Sequence, residues 1–322
     1  MDFYQSVILL NMNTKIKKIN LNHSFIFFLF CNIFSLITFI FNNFTISPLI
    51  CLLLILSIGI SHGSLDNTKG KKLFKIFEIT NFSIFYSSYI VIAIAIIILW
   101  IIIPALSLII FLVVASYHFG KEDTQFLVIE NSYFNQLLFL IKGSLIILAP
   151  MYFHFDETIS IFKLLLVENE SFYEYLNLIE NYKILLSGIL LATFANILLF
   201  AKNYEFKKFT IFLDYFSILI INYYFSPLIA FTLYFCFLHS IRHSITLMLE
   251  LNGTDLNVGF RLFMKKALPL TILTIIFCLI ALYFLNNSYN FNSSILKIIF
   301  IGLASLTFPH ILLEYLLEKN EK

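Results

Sequence analysis

Ten apolar runs dominate this chain, at 24–41, 48–62, 81–102, 104–118, 137–153, 184–201, 210–222, 226–249, 267–285 and 295–317. A membrane-crossing helix needs about 20 mostly apolar residues, with about 17 as the usual lower limit. The sequence therefore predicts an all-α polytopic membrane helix bundle with about ten transmembrane helices. Runs 48–62, 104–118 and 210–222 are short for a crossing, and 210–222 also carries Asp214. Composition agrees. Of the 322 residues, 60% are hydrophobic and 12% charged, against roughly 45–50% and about 25% in soluble domains. That balance excludes disorder, collagen-like fibres and disulfide scaffolds.

Charge orients the runs. With the N-terminus in the cytoplasm, 16 of the 21 Lys and Arg fall in inward segments, and the outward loops hold Lys163 and Lys183. This is the positive-inside pattern, and it predicts that both termini are cytoplasmic. The first run follows Lys15, Lys17 and Lys18 without a small-residue cleavage site, so it is expected to stay as an anchor. Segment 154–183 is expected to be a long acidic outward loop. A net charge of +2, scattered over short loops, gives no basis for nucleic-acid binding. Cys31, Cys51, Cys236 and Cys278 all lie in apolar runs without a CxxC pair, and read as small buried hydrophobes.

Histidine carries the chemical signal. His62, His118, His239, His243 and His310 lie in or at the end of even-numbered runs, which cross in one direction and place all five in the cytoplasmic half of the bilayer. Ionisable groups at such depth are rare and usually functional. His239 and His243, four residues apart, share a helix face and can hold one metal ion, with His62 and His118 able to complete the set. His310 follows Pro309, which breaks the local hydrogen-bond ladder and can turn the ring inward. Imidazole donors suit Zn, Cu, Fe or Ni, and composition does not choose among them. SHGSLD at 61–66 and YHFGKED at 117–123 echo each other, each giving His, Gly and Asp where a run ends. Asp66 and Asp123 have two readings, as loop or cap residues, or as partners for a ligand's other ring nitrogen. Arg242 can snorkel, pair with Asp66 or Asp123, or serve the site. Glu314, four residues after His310, reads more simply as an exposed helix-end carboxylate than as an extra ligand. His23 and His154, at loop ends, read as solvated or interfacial.

In order and context, HGSLD at 62–66, HFGKED at 118–123, HSIRH at 239–243 and TFPH at 307–310 resemble the motifs of the Brp/Blh family of bacterial membrane β-carotene 15,15′-dioxygenases. The resemblance runs from about residue 48 to the C-terminus. It implies that 48–322 form a membrane-embedded catalytic bundle, with 1–47 an N-terminal tail and first membrane helix beyond the family core. It implies cleavage of the central double bond of β-carotene by dioxygen at Fe(II), giving two all-trans-retinal that supply a microbial rhodopsin, in the bacterial inner membrane. The implied iron ligands are His62, His118, His239 and His243, with His310 near the metal. Ser61 stands where the family often has Pro before its first His. Tyr117, Phe119, Tyr234, Phe235, Phe237 and Phe308, beside the ligands, are candidates to line a polyene tunnel, although plain packing explains any one of them.

The alternative reading is an intramembrane His-lined metal-ion or proton transporter. The His gather near one membrane face and buried carboxylates look few, which counts against it. A membrane di-iron desaturase or hydroxylase needs about eight His in several boxes, where this chain has one HxxxH box. A bis-His haem protein would show a Soret band.

Overall fold

In the computed structural model, residues 3–41, 46–59, 63, 65–127, 132–201, 209–253 and 255–320 are described, with side chains from residue 14 onward. Helix α1 covers Phe3–Ile40, α2 Pro48–Leu54 and α3 Asp66–Ile76. Next come α4 (Ser83–Ile102), α5 (Pro104–Glu122), α6 (Tyr133–Gly143) and α7 (Leu145–Phe153). They are followed by α8 (Phe155–Leu164), α9 (Glu170–Asn181) and α10 (Ile184–Ala201). The chain continues with α11 (Thr210–Tyr224), α12 (Pro227–Leu233), α13 (Ile241–Leu251), α14 (Leu256–Leu285) and α15 (Phe291–Asn320). Two π-helical segments interrupt the α pattern, Ile55–Gly59 after α2 and Tyr234–Ser240 between α12 and α13. No strand occurs among the described residues. The protein is an all-α, multi-pass membrane bundle.

Each apolar run corresponds to a helical stretch. Eight are long and apolar enough to cross a membrane, while Pro48–Gly59 and Thr210–Tyr224 are shorter. Run 104–118 reaches a full 19 residues because the helix continues through Phe119, Gly120, Lys121 and Glu122. Burial sorts the spans into layers. Pro227–Leu251 has 72% of its apolar window buried and Phe291–Asn320 56%, against 6% for Leu256–Leu285 and 11% for Ser83–Ile102. The first two are central. The last two present Ile272, Phe277, Ile280, Ile94 and Ile101 outward, a surface that lipid tolerates and water does not. Asp214, which weakened the sequence signal for 210–222, is buried in α11 against Arg242.

The segment expected to be a long outward loop, 154–183, is instead helical. It forms α8, whose Phe155, Thr158 and Phe162 turn inward, and α9, capped by Asn169 accepting from the Phe172 amide. The error has a physical source, because short amphipathic helices lack the continuous apolar run that marks a crossing. Trp100 secures the return by donating from Nε1 to the Leu165 carbonyl at 2.9 Å.

Helices α5 and α6 approach through glycine. A Cβ on Gly120 would overlap the Phe139 carbonyl, and one on Gly143 would overlap the Ser116 carbonyl, so backbone packs on backbone here. Small residues permit such close crossings in membranes. Gly120→Ala and Gly143→Ala should each destabilise the bundle by about 1–3 kcal/mol or more through overpacking. Thermal unfolding in detergent checks this, with Gly302→Ala, which has open space around it, expected to be neutral.

Candidate metal centre

The two π-helical segments bring the site together. A π turn inserts an extra residue and is frequent at functional sites. A Cβ on Gly59 would overlap the Phe235 ring, and Ser240 Oγ donates to the Gly59 carbonyl at 3.2 Å, so the segments pack closely. His239 lies in the second segment and His243 one turn later in α13. His118 comes from the last turn of α5 and His310 from α15, after Pro309.

These four imidazoles converge. Ring centroids are 5.4 Å apart for His118–His239, 5.5 Å for His118–His310 and 6.1 Å for His243–His310. All four are buried. His62 and Ser61 lie outside the described residues, but Gly63, next after His62, sits with its would-be Cβ 3.9 Å from His310 Nδ1.

Each ring has an acidic neighbour. His310 Nδ1 lies 2.8 Å from Asp66 Oδ1, His239 Nδ1 3.3 Å from Asp123 Oδ1, and His243 Nδ1 3.0 Å from Glu122 Oε2. His118 Nδ1 is 3.9 Å from Glu314 Oε2. The acids are themselves held, since Tyr89 donates to Asp66 Oδ2 at 2.9 Å and Tyr234 to Asp123 Oδ2 at 2.6 Å. With Nδ1 engaged by a carboxylate on His239, His243 and His310, Nε2 is the nitrogen each would turn to a metal. That is the usual orientation of metal-binding histidine.

Of the two acids expected for it, Arg242 pairs with Asp123, although its tightest carboxylate partner is Asp214. Its guanidinium is bidentate on Asp214, Nη1 to Oδ2 at 3.0 Å and Nη2 to Oδ1 at 3.1 Å. It also donates to the Asp123 carbonyl at 3.1 Å and to Ser24 Oγ at 2.7 Å, while its distance to Asp123 Oδ1 is 3.8 Å. His23 is thus not at a loop end. It lies within α1, beside Ser24 and this guanidinium network. His154 sits at the α7–α8 junction, 3.8 Å from Glu157.

The expected shortage of buried carboxylates is overturned. Asp66, Asp123 and Asp214 are buried, and Glu122 and Glu314 keep 10% and 15% of their side-chain surface exposed. Glu314 is therefore not an exposed helix-end residue. Lys69 Nζ binds its Oε1 at 2.5 Å. Burial pulls the Lys69 ammonium toward neutrality, but Glu314 and Asp66 outweigh it and hold its pKa above the ordinary lysine range. Lys142 is buried near Asp123 and Asp214. Sequence patterning missed the roles of Glu122, Lys69 and Lys142, and saw in Asp214 only a weakness of its run, because the partner of each lies on a distant element.

The donors themselves decide whether the residues fit a metal. Among the described residues, His118, His310 and Glu314 offer donor atoms that all lie within 4.8 Å of one another, and imidazole and carboxylate suit a divalent transition ion. The donor set fits a metal.

An apolar pocket adjoins the cluster. Leu108, Phe111, Leu112, Ala115 and Phe119 form one wall along α5, with Phe162, Phe231 and Phe300 opposite. Phe119 links the cavity to the imidazoles, its ring centroid 4.7 Å from that of His239. Of the other aromatics beside the ligands, Tyr234 and Phe235 pack on His239, Phe237 packs on Phe30, and Tyr117 hydrogen-bonds Gln136. Phe308 is partly buried against the core.

Comparison with known proteins supplies the family. The family described as beta-carotene 15,15′-dioxygenase matches residues 53–318, so the chain belongs to it. A curated relative, the beta-carotene 15,15′-dioxygenase of uncultured marine bacterium 66A03, is 27% identical over 268 residues, 81% of this chain and 90% of that protein. No solved structure matches.

Replacing Asp66, Glu122 or Asp123 by Ala should weaken metal affinity about 10–100-fold, read by metal titration of the purified protein. Full affinity in all three variants would contradict the arrangement. Asp214→Ala should cost about 3–5 kcal/mol by leaving a buried guanidinium uncompensated, checked by denaturation in detergent.

Proposed function

We propose that this member of the β-carotene 15,15′-dioxygenase family cleaves the central 15,15′ double bond of β-carotene with dioxygen at a His-held Fe(II), giving two all-trans-retinal. One C=C bond breaks, two C=O bonds form, and one dioxygen is consumed. The observation that carries the reading is a buried imidazole cluster, backed by carboxylates, opening on an apolar cavity in a chain of this family.

His62, His118, His239 and His243 would hold the iron, with His310 beside it. For His62 the support is its place in HGSLD and the position of its neighbour Gly63 against His310. Bound there, Fe(II) supplies activation of dioxygen. Asp66, Glu122 and Asp123 keep their rings oriented, and Tyr89 and Tyr234 keep those carboxylates in place. Phe119 and the α5 wall present an apolar rod to the cluster without drawing it out of lipid. The cavity wall includes one hydroxyl, Thr158, and it already donates toward the Pro150 and His154 carbonyls, so the cavity gives water little to bind. Excluding water protects activated oxygen from side reactions.

The cellular setting follows the same reading. On this reading the protein lies in the bacterial inner membrane with both termini cytoplasmic, a topology supported by the loop-charge bias, and passes retinal to a microbial rhodopsin. A C-terminal reporter fusion should report a cytoplasmic tail.

Expression in a β-carotene-producing bacterium should bleach the orange colour and yield retinal by chromatography. Replacing His62, His118, His239 or His243 by Ala should abolish retinal formation while the protein still inserts. The His239/His243 double variant should be hardly worse than either single one, because ligands of one metal act as a unit. His154→Ala should stay active. Retained cleavage in the His239 variant would sink the assignment.

A further inference from the structure

Glu314 occupies a place that the His motifs do not account for. It lies four residues after His310 on α15, so the two side chains share a helix face as His239 and His243 do. Among the described residues, His118, His310 and Glu314 form the group whose donor atoms all lie within 4.8 Å of one another. Glu314 Oε1 is 3.5 Å from His310 Nε2, the nitrogen not taken by Asp66. Its Oε2 is 3.9 Å from His118 Nδ1. The carboxylate therefore stands among the imidazoles, whereas Asp66, Glu122 and Asp123 each stand behind one.

Its other partner fits the same role. Metal-binding carboxylates are themselves usually hydrogen-bonded. Lys69, one turn after Asp66 in α3, reaches Glu314 Oε1 at 2.5 Å. The same short helix thus supports both members of the α15 pair, Asp66 behind His310 and Lys69 behind Glu314.

Building on the metal-centre reading above, we propose that Glu314 is a protein ligand of the metal, giving a mixed imidazole–carboxylate set in which Lys69 orients the carboxylate. A carboxylate donor adds negative charge directly at the ion and occupies a position that four imidazoles alone would leave open.

The test uses the purified full-length protein in detergent, titrated anaerobically with Co(II) as a spectroscopic probe. Wild type should bind Co(II) with a visible ligand-field spectrum. Glu314→Gln should lower affinity by about 10-fold or more and shift the band positions, because a first-coordination donor has changed. Glu314→His should restore affinity with a third, distinct spectrum. Lys69→Met should weaken binding less than Glu314→Gln and leave the bands nearly in place. If Glu314→Gln binds Co(II) with the wild-type spectrum, Glu314 is not a ligand, though the metal centre stands. If wild type takes up no Co(II) or Fe(II), the metal-centre reading itself fails, and this proposal with it.

Discussion

The hydrogen bond between a buried carboxylate and the Nδ1 of a buried imidazole is the interaction on which the rest of this structure depends. Three such bonds, from Asp66, Glu122 and Asp123, reach rings on α15, α13 and the π segment before it. Each joins elements far apart in the chain, so together they specify how α3, α5, α13 and α15 meet. Carboxylates inside a bilayer are expensive unless paired and hydrogen-bonded. The bundle meets that cost with Arg242 on Asp214, Lys69 on Glu314, and tyrosine hydroxyls on Asp66 and Asp123.

The layers of the fold serve that constraint. Helices α4 and α14 meet lipid with nearly bare apolar faces, while the span carrying His239 and His243 is the most enclosed of the eight. Helix α1, ahead of the family match, reaches inward as well. Ser24 accepts from the guanidinium that also binds the Asp123 carbonyl, one step from His239. The close glycine crossing of α5 and α6 fixes the helix that carries His118, Glu122 and the cavity wall.

The apolar helices were legible in the sequence because lipid demands long apolar runs, eight of them long enough to cross, and the histidines stood out against them. Polar partners near run ends were not legible. Glu122 sits one residue from Asp123 in a segment that reads as an ordinary charged loop, and only the helical continuation of α5 turns it toward His243. Asp214 looked like a defect in a weak span until Arg242 was placed against it. Glu314 looked solvent-facing because sequence spacing gives a helix face but not what lies across from it. Helices α8 and α9 were missed because short amphipathic segments resemble polar loops in a hydropathy reading.

Iron stoichiometry tests the central claim most directly. Purified protein titrated anaerobically with Fe(II) and freed of excess should retain one iron per chain, tightly held, and release protons on binding if the apo cluster balances its charge with protonated groups. Saturation at one equivalent is the result expected from imidazoles that converge on a single site. Retention of no iron, or binding unaffected when the cluster's histidines are replaced, would contradict the account.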